Sequence, residues 1–323
     1  MKVLGRLLVV VGLLILAGAL LFWRSPIWFS TQATHADLFF HNVKSNYVLT
    51  PEGRVHYYEA EPRFAPEHGI PLVLVHGLGD RDESWAPMLK RLKKAGFHVY
   101  APDLLGYGRS PKPADGDYSI AGQERYLADF IQALGLPQTD LGGWSMGGWI
   151  TLKLALDQPE MVNRVVVYDS AGLQTDATPV PASAFHTTSA QDVQALFHLM
   201  EPEAKPLPEF YARDAARRLE SVQPTIDANI AGMRTGKDFL NGSIAGLKEP
   251  LLIVWGGTDH LVPLSVGQQL HALVPGSELD IVEGCGHLAP SHCSGRVSAA
   301  TADFLKADPP PQGSIRTLAA MGR

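Results

Sequence analysis

Gly143-Trp144-Ser145-Met146-Gly147 is the stretch on which the reading of this chain turns. It is a G-x-S-x-G pentapeptide that follows a strand-like run and opens a helical one. A serine on so tight a corner leaves no room for side chains beside the neighbouring backbone, which is why glycines flank it. The turn lifts the hydroxyl clear of a sheet. The helix that starts there offers unpaired N–H groups and the positive end of its dipole beneath any negative charge that develops. Standing alone, the same five residues would serve equally as a glycine-rich turn before any helix.

Working outward, two later junctions have the same build. Leu251 to Trp255 is an unbroken apolar run of the kind a buried parallel strand shows, and it ends in Gly256-Gly257-Thr258-Asp259. Leu279 to Glu283 then ends in Gly284-Cys285-Gly286-His287. In an open α/β sheet the loops at the carboxyl ends of the strands share one rim, so Ser145, Asp259 and His287 are expected there together, in that chain order. A serine hydroxyl needs an imidazole to take its proton at neutral pH, and the imidazole needs a carboxylate to fix its tautomer. These three residues supply the set. Asp259 could instead cap the turn before Val262-Pro263, and His287 could be a surface histidine on a tight loop; the shared order and strand positions weigh against both. Asp169, which also ends a strand, is the rival acid. His76 and Asp103 are read as residues that shape their loops. Backbone donors for an oxyanion fall to Met146 and to Leu78, which follows His76-Gly77.

From Pro71 on, strand-like runs alternate with helical ones, the order that builds a mostly parallel sheet flanked by helices. Strands are expected at Leu72 to His76, Val99 to Pro102, the stretch entering Ser145, Arg164 to Tyr168, Leu251 to Trp255 and Leu279 to Glu283. Before them, Lys44 to Leu49 and Arg54 to Glu59 read as a hairpin about Pro51-Glu52-Gly53. Apolar residues at three- and four-residue spacing predict helices over Ser84 to Ala95, Ile120 to Leu134, Met146 to Asp157 and Val297 to Lys306. Between Ala171 and Lys248 the strand rhythm stops. Helical runs punctuated by proline, Ala190 to Met200, Leu207 to Val222 and Thr225 to Met233, predict an inserted helical cap. The expected organisation is a core of residues 40–172 and 249–307, a cap of 173–248 and a tail of 308–323. The tail is expected to be loosely held, because Pro309-Pro310-Pro311 opens it and little apolar periodicity follows.

With 323 residues, 46% hydrophobic and 19% charged, the chain can bury one sizeable core. The formal net charge of -6 is modest and the Lys and Arg residues are scattered, so nucleic acid is not an expected partner. Cys285 and Cys293 form neither a CxxC pair nor a zinc array, so no metal is implied. A bond between them is conceivable in an oxidising compartment, but Cys285, set between glycines, is expected to serve as a small buried residue. At the amino end, Leu7 to Trp23 reads LLVVVGLLILAGALLFW, long enough for a helix to cross a bilayer. Lys2 and Arg6 before it would keep the start in the cytoplasm and send the rest across. Residues 1–30 are therefore read as a membrane anchor, with the remainder on the exported side. Ala17-Gly18-Ala19 also matches a signal-peptide cleavage site, which would give a secreted protein; the apolar run passes through it with no polar stretch, and that favours an uncleaved anchor.

Taken together, these motifs resemble the α/β-hydrolase superfamily. The agreement lies in His76-Gly77-Leu78-Gly79, PDLLGYGRS over Pro102 to Ser110, Gly143 to Gly148, WGGTDHLVP from Trp255 and GCGH from Gly284, and it spans Lys44 to Lys306. The resemblance implies the α/β-hydrolase fold and a Ser-His-Asp triad that works without a cofactor. With the amino-terminal segment and Ala171-Gly172-Leu173 after a strand, the chain looks like the membrane-anchored monoacylglycerol lipases and bacterial esterase-lipases. That implies hydrolysis of carboxylic esters, lipid-like or with hydrophobic acyl groups, through an acyl-enzyme. No cap motif transfers, although Phe197, Leu199, Met200, Phe210, Tyr211 and Phe239 are available to line an acyl pocket. The same scaffold also hosts carbon–carbon bond hydrolases, cofactor-free perhydrolases and catalytically silent binding modules. Serine at 145 sets the chain apart from the dehalogenase and epoxide-hydrolase relatives, which look to an aspartate.

Overall fold

The hairpin forms as β1 (Lys44–Thr50) and β2 (Gly53–Ala60), antiparallel, turning into Gly53 with a φ of 123° that only glycine adopts readily. In this computed structural model, which describes residues 2–64, 70–175 and 180–320, seven more strands join it. They are β3 (Ile70–Val75), β4 (Phe97–Pro102), β5 (Thr139–Trp144), β6 (Val162–Tyr168), β7 (Leu251–Gly256), β8 (Glu278–Val282) and β9 (Ile315–Leu318). The order across the sheet is β1-β2-β4-β3-β5-β6-β7-β8-β9; β2 meets β4 antiparallel, and every later pairing is parallel. β5 and β7 are buried at every position, which is why their sequences do not alternate.

Helices coat both faces. The described residues hold α1 (Lys2–Arg24), α2 (Pro26–Phe40), α3 (Ala86–Lys94), α4 (Ile120–Ala133), α5 (Met146–Asp157), α6 (Ala190–Met200), α7 (Glu209–Arg234), α8 (Leu264–Leu273), α9 (Ala289–His292) and α10 (Ser294–Lys306). Alternation along β3 shows the two cores: Val73 and Val75 join α4, α5 and α8, whereas Leu72 and Leu74 join α3 and α10. Between β6 and β7 the described residues hold α6 and α7, packed on each other, and no strand.

Several expectations need correction. The tail is not loose: Ile315–Leu318 adds an edge strand to β8, and Arg316 ties it down by pairing with Asp280 at 2.6 Å and Glu278 at 2.6 Å. The holding force is ionic, so apolar periodicity could not reveal it; residues 321–323 lie outside the described part. The two runs expected as separate helices are one, α7, with Pro224 inside it. Proline forfeits one helical hydrogen bond, and burial of the apolar Ile226 just beyond it works against the loss. Asn229 there donates to Tyr107 Oη at 3.2 Å. Cys285 and Cys293 are joined as a disulfide, correcting the reading of Cys285 as a free small residue: α9 folds the chain back until their Cα atoms stand 6.5 Å apart, within bridging range.

At the amino end, α1 is among the described residues the one helix long and apolar enough to cross a membrane, by length and composition. It ends at Arg24, and α2, which the sequence reading did not anticipate, starts at Pro26. The joint rests on α7: Trp23 stacks on Phe210 with ring centres 5.1 Å apart, and the Ile27 N–H donates to Asp214 Oδ2 at 3.0 Å.

Candidate active site

Ser145 leaves β5 with φ 56° and ψ −119°, a conformation a non-glycine residue keeps only where its neighbours impose it. Its N–H donates to Tyr168 O (2.9 Å), and its carbonyl accepts from Gly148 N (3.0 Å) and Ala171 N (3.1 Å). Space dictates the glycines. A methyl on Gly143 would stand 2.3 Å from Gly147 O, one on Gly147 2.2 Å from Val75 O, and one on Gly148 2.3 Å from Ser170 Oγ. Met146 is the first residue of α5, so its N–H has no carbonyl within the helix to answer. Leu78 lies on the turn after Gly77, where even a methyl on Gly77 would come within 3.1 Å of Ser145 Cβ.

His287 and Asp259, from the loops after β8 and β7, meet with Nδ1 2.7 Å from Oδ2, and each is 3% exposed. Asp259 Oδ1 accepts from Leu261 N (2.8 Å) and Val262 N (3.0 Å), so this carboxylate caps its turn and orients the imidazole at once. With Nδ1–H directed at Asp259, Nε2 is left free to act as a base.

The surroundings of His287 hold residues that the sequence reading missed. Its N–H donates to Met200 O (2.7 Å), its carbonyl accepts from Trp144 Nε1 (2.8 Å), and Leu288 N donates to Glu201 Oε1 (2.9 Å). His260 N, beside Asp259, donates to Leu199 O (3.0 Å). The end of α6 thus grips both loops. Trp144 lies inside the decisive pentapeptide and was open to inspection; Glu201 carried no sequence signal.

Among the described residues Ser145 Oγ makes no hydrogen bond to His287. The two line one cavity of about 340 Å³, with Leu78, Asp80 and Thr187. A second cavity of about 490 Å³ also reaches Ser145, lined by Met146, Trp149, Leu173, Met233 and Phe239, and shares Leu78, Phe185 and Leu261 with the first. Of the pocket candidates, Met200 lines the first and Phe239 the second, stacked on Trp149 at 5.1 Å. Phe210 instead meets Trp23 of α1, and Phe197 lines neither cavity.

Asp169, the rival acid, ends β6 with φ 47°. Its Oδ1 accepts from Gly256 N (2.7 Å), its Oδ2 is buried without a partner, and burial, with the Asp259 carboxylate nearby, pushes its pKa well above the usual value. It braces the β7 loop. His76 accepts from Leu104 N through Nε2 (3.0 Å), and Asp103 accepts from Asp82 N (3.1 Å) and Arg109 N (2.8 Å), so both shape loops as expected. His56, Asp82 and Asp103 bring ligand-type atoms within 4.8 Å of one another, and these are the described residues that could gather round a metal. Burial pushes Asp82 up to about 8, while Asp103, against the same burial, is held below its usual value by His56. None of the three lines either cavity at Ser145.

The sequence profile described as alpha/beta hydrolase fold matches residues 70–291. The 2-hydroxymuconate semialdehyde hydrolase of Pseudomonas putida is 29% identical over 247 residues, covering 73% of this chain and 87% of that protein. Lipase 1 of Psychrobacter immobilis is 28% identical over 231 residues, covering 68% of this chain and 72% of the lipase. Among solved structures, a membrane phospholipase A superposes with a TM-score of 0.78 at 24% identity, over 94% of this chain and 98% of that one. At that identity the likeness is one of fold.

Proposed function

The chain belongs to the alpha/beta hydrolase fold family, and from that premise we propose that it is a membrane-anchored serine hydrolase of carboxylic esters with hydrophobic acyl chains, lipid-like esters such as monoacylglycerols among them. Ser145 is the nucleophile, His287 the base and Asp259 the acid that orients it; the N–H groups of Met146 and Leu78 receive the oxyanion. The observation that carries this reading is the buried 2.7 Å contact of His287 with Asp259 on the wall of the cavity that also holds Ser145.

Ser145 Oγ attacks the ester carbonyl as His287 Nε2 takes its proton. The carbonyl oxygen becomes an oxyanion at the start of α5, where free N–H groups and the helix dipole favour negative charge. Collapse breaks the carbon–oxygen bond to the alcohol, which leaves with the proton from His287. Water, activated by the same imidazole, then releases the acid. The serine-to-histidine contact commonly tightens only when substrate is bound, so its length without substrate does not count against the assignment.

α1 remains as the anchor, with the amino terminus cytoplasmic and the enzyme body exported. Its exposed apolar surface and its joint with α7 support this, and the Cys285–Cys293 bond suits an oxidising compartment. A second reading, carbon–carbon bond hydrolysis, is favoured by the Pseudomonas putida relative. A fluorophosphonate should label wild type and not Ser145→Ala, whose ester turnover should fall by about 10⁴-fold or more. Labelled protein that turns over a ring-cleavage dione and no ester would replace the first reading with the second; absence of labelling would remove both.

A further inference from the structure

α2 leaves one long side uncovered. Trp28 and Phe39 stand eleven residues apart, about three helical turns, so they share a face, and Gln32, Ala36 and Phe40 are exposed along it. None of these is charged. The other side is fastened to the body: Leu38 is buried, Asp37 pairs with Lys90, and His35 Nε2 lies 2.8 Å from Glu83 Oε1. The bare face is thereby held in one direction, from the joint with α1 to the last residue of α2. There Phe39 and Phe40 are 73% and 79% exposed, with their rings 5.7 Å apart. Two neighbouring phenyl rings facing water mark a surface that something apolar covers.

Two clefts reach this end of α2, and both are basic. One, of about 510 Å³, is lined by Phe39 with Lys44 and Arg109; the other, of about 420 Å³, by His41 with Arg63, Lys90, Lys93 and Lys94. Among the described residues no Asp or Glu lines either, in a chain whose formal net charge is -6. Lys44 and Lys90 have carboxylate partners in Glu61 and Asp37. Arg63, Lys93, Lys94 and Arg109 have no ion-pair partner among the described residues: Lys93 donates to the carbonyls of His41 (2.9 Å) and Asn42 (2.7 Å), and Arg109 to the hydroxyls of Ser45 (3.2 Å) and Tyr58 (2.9 Å). A polyanion in solution would answer these four cations and leave the rings in water. A bilayer leaflet with anionic phospholipid answers both, because aromatic rings settle at headgroup depth and Lys and Arg are drawn to the negative surface. Resting on α1 as a bilayer span, we infer that α2 lies along the membrane surface and that its far end is a second membrane contact, with Phe39 and Phe40 in the interface and anionic phospholipid headgroups in the basic clefts. A single span leaves the body free to turn about it; a second contact fixes that rotation.

The full chain is given one added cysteine, by Leu20→Cys in α1 or Phe40→Cys in α2, and labelled with a thiol-reactive fluorophore; the two native cysteines are joined and do not compete. Each labelled protein is placed in vesicles of phosphatidylcholine alone, or of phosphatidylcholine and phosphatidylglycerol in equal parts, and quenching by nitroxide-labelled lipid is read. The probe at 20 should be quenched in both. The probe at 40 should be quenched about threefold more in the phosphatidylglycerol vesicles, and high salt, or Arg63→Glu together with Lys94→Glu, should abolish the excess. Salt requires no charge reversal, so that arm decides even if the reversed protein does not fold. Equal quenching at 40 in the two vesicles, quenching in neither, or an excess that persists in salt would overturn the inference, while quenching at 20 would leave the anchor in place. Absence of quenching at 20 in both would bring down the span and the second contact with it.

Discussion

Asp169 and Asp259 end neighbouring strands, and only one of them reaches His287. In the proposed mechanism Asp259 fixes the tautomer, so Asp259→Asn should lower kcat by about 10⁴-fold, because an amide can present a donor to Nδ1 and leave the imidazole turned the wrong way. Asp169→Asn keeps an oxygen for Gly256 N and should retain activity to within about tenfold; steady-state kinetics on one ester compare the pair, and a dead Asp169 variant beside an active Asp259 variant would reverse the assignment. Asp169 also makes a pH prediction. Its native pKa lies above the unfolded value near 3.8, so the native chain holds this proton more tightly than the unfolded one. Its contribution to stability is then full below that unfolded value and drains away as pH rises toward the native one. Asn cannot titrate. The stability of wild type relative to Asp169→Asn should therefore decline as pH climbs from the unfolded value, read from denaturant melts at stepped pH; a difference that stays flat would mean that burial does not raise this carboxyl.

At the scale of elements, the turn into α5 is held by contact distances rather than by composition. A methyl on Gly147 would meet two carbonyl oxygens at the end of β3, Val75 O at 2.2 Å and His76 O at 2.6 Å, and backbone cannot yield as a side-chain end can. Gly147→Ala should destabilise the fold by about 1–3 kcal/mol or more, seen as a lower Tm, whereas Gly276→Ala, with nothing within 4 Å of its added methyl, should change it little. These contacts show why so much of the centre was legible. A fully buried parallel strand leaves the unbroken apolar run of β7, and a corner without room leaves glycines, so β7 and the loops bearing Ser145, Asp259 and His287 were marked in one dimension. Elements held by partners distant in sequence were not. β9 depends on Arg316 finding Glu278 and Asp280, α7 continues through Pro224 with Ile226 and Asn229 buried beyond it, Trp144 braces His287 from 143 residues away, and Glu201 holds the next residue, Leu288, from 87.

Across the whole molecule, one helix connects the amino-terminal segment to the site. α7 receives Trp23 and the Ile27 N–H near its start, through Phe210 and Asp214. Further along it lends Leu219 and Ile226 to the cavity shared with His287, and Ile230 and Met233 to the other. A span fixed to that helix would hold both cavities at a constant height above the bilayer. A tethered enzyme meets bilayer substrate at an effective concentration set by the tether, whereas a freely dissolved one must first bind the surface. Removing residues 1–24 should therefore lower turnover of a monoacylglycerol held in vesicles by about tenfold or more, and leave a water-soluble short-chain nitrophenyl ester changed by no more than about threefold, since that substrate needs no delivery. Both rates come from one preparation, so loss of folded protein would show as an equal fall in the two. Unequal loss confined to the vesicle substrate is the signature of an anchor; equal retention of both would mean that the segment serves export and not catalysis at a membrane.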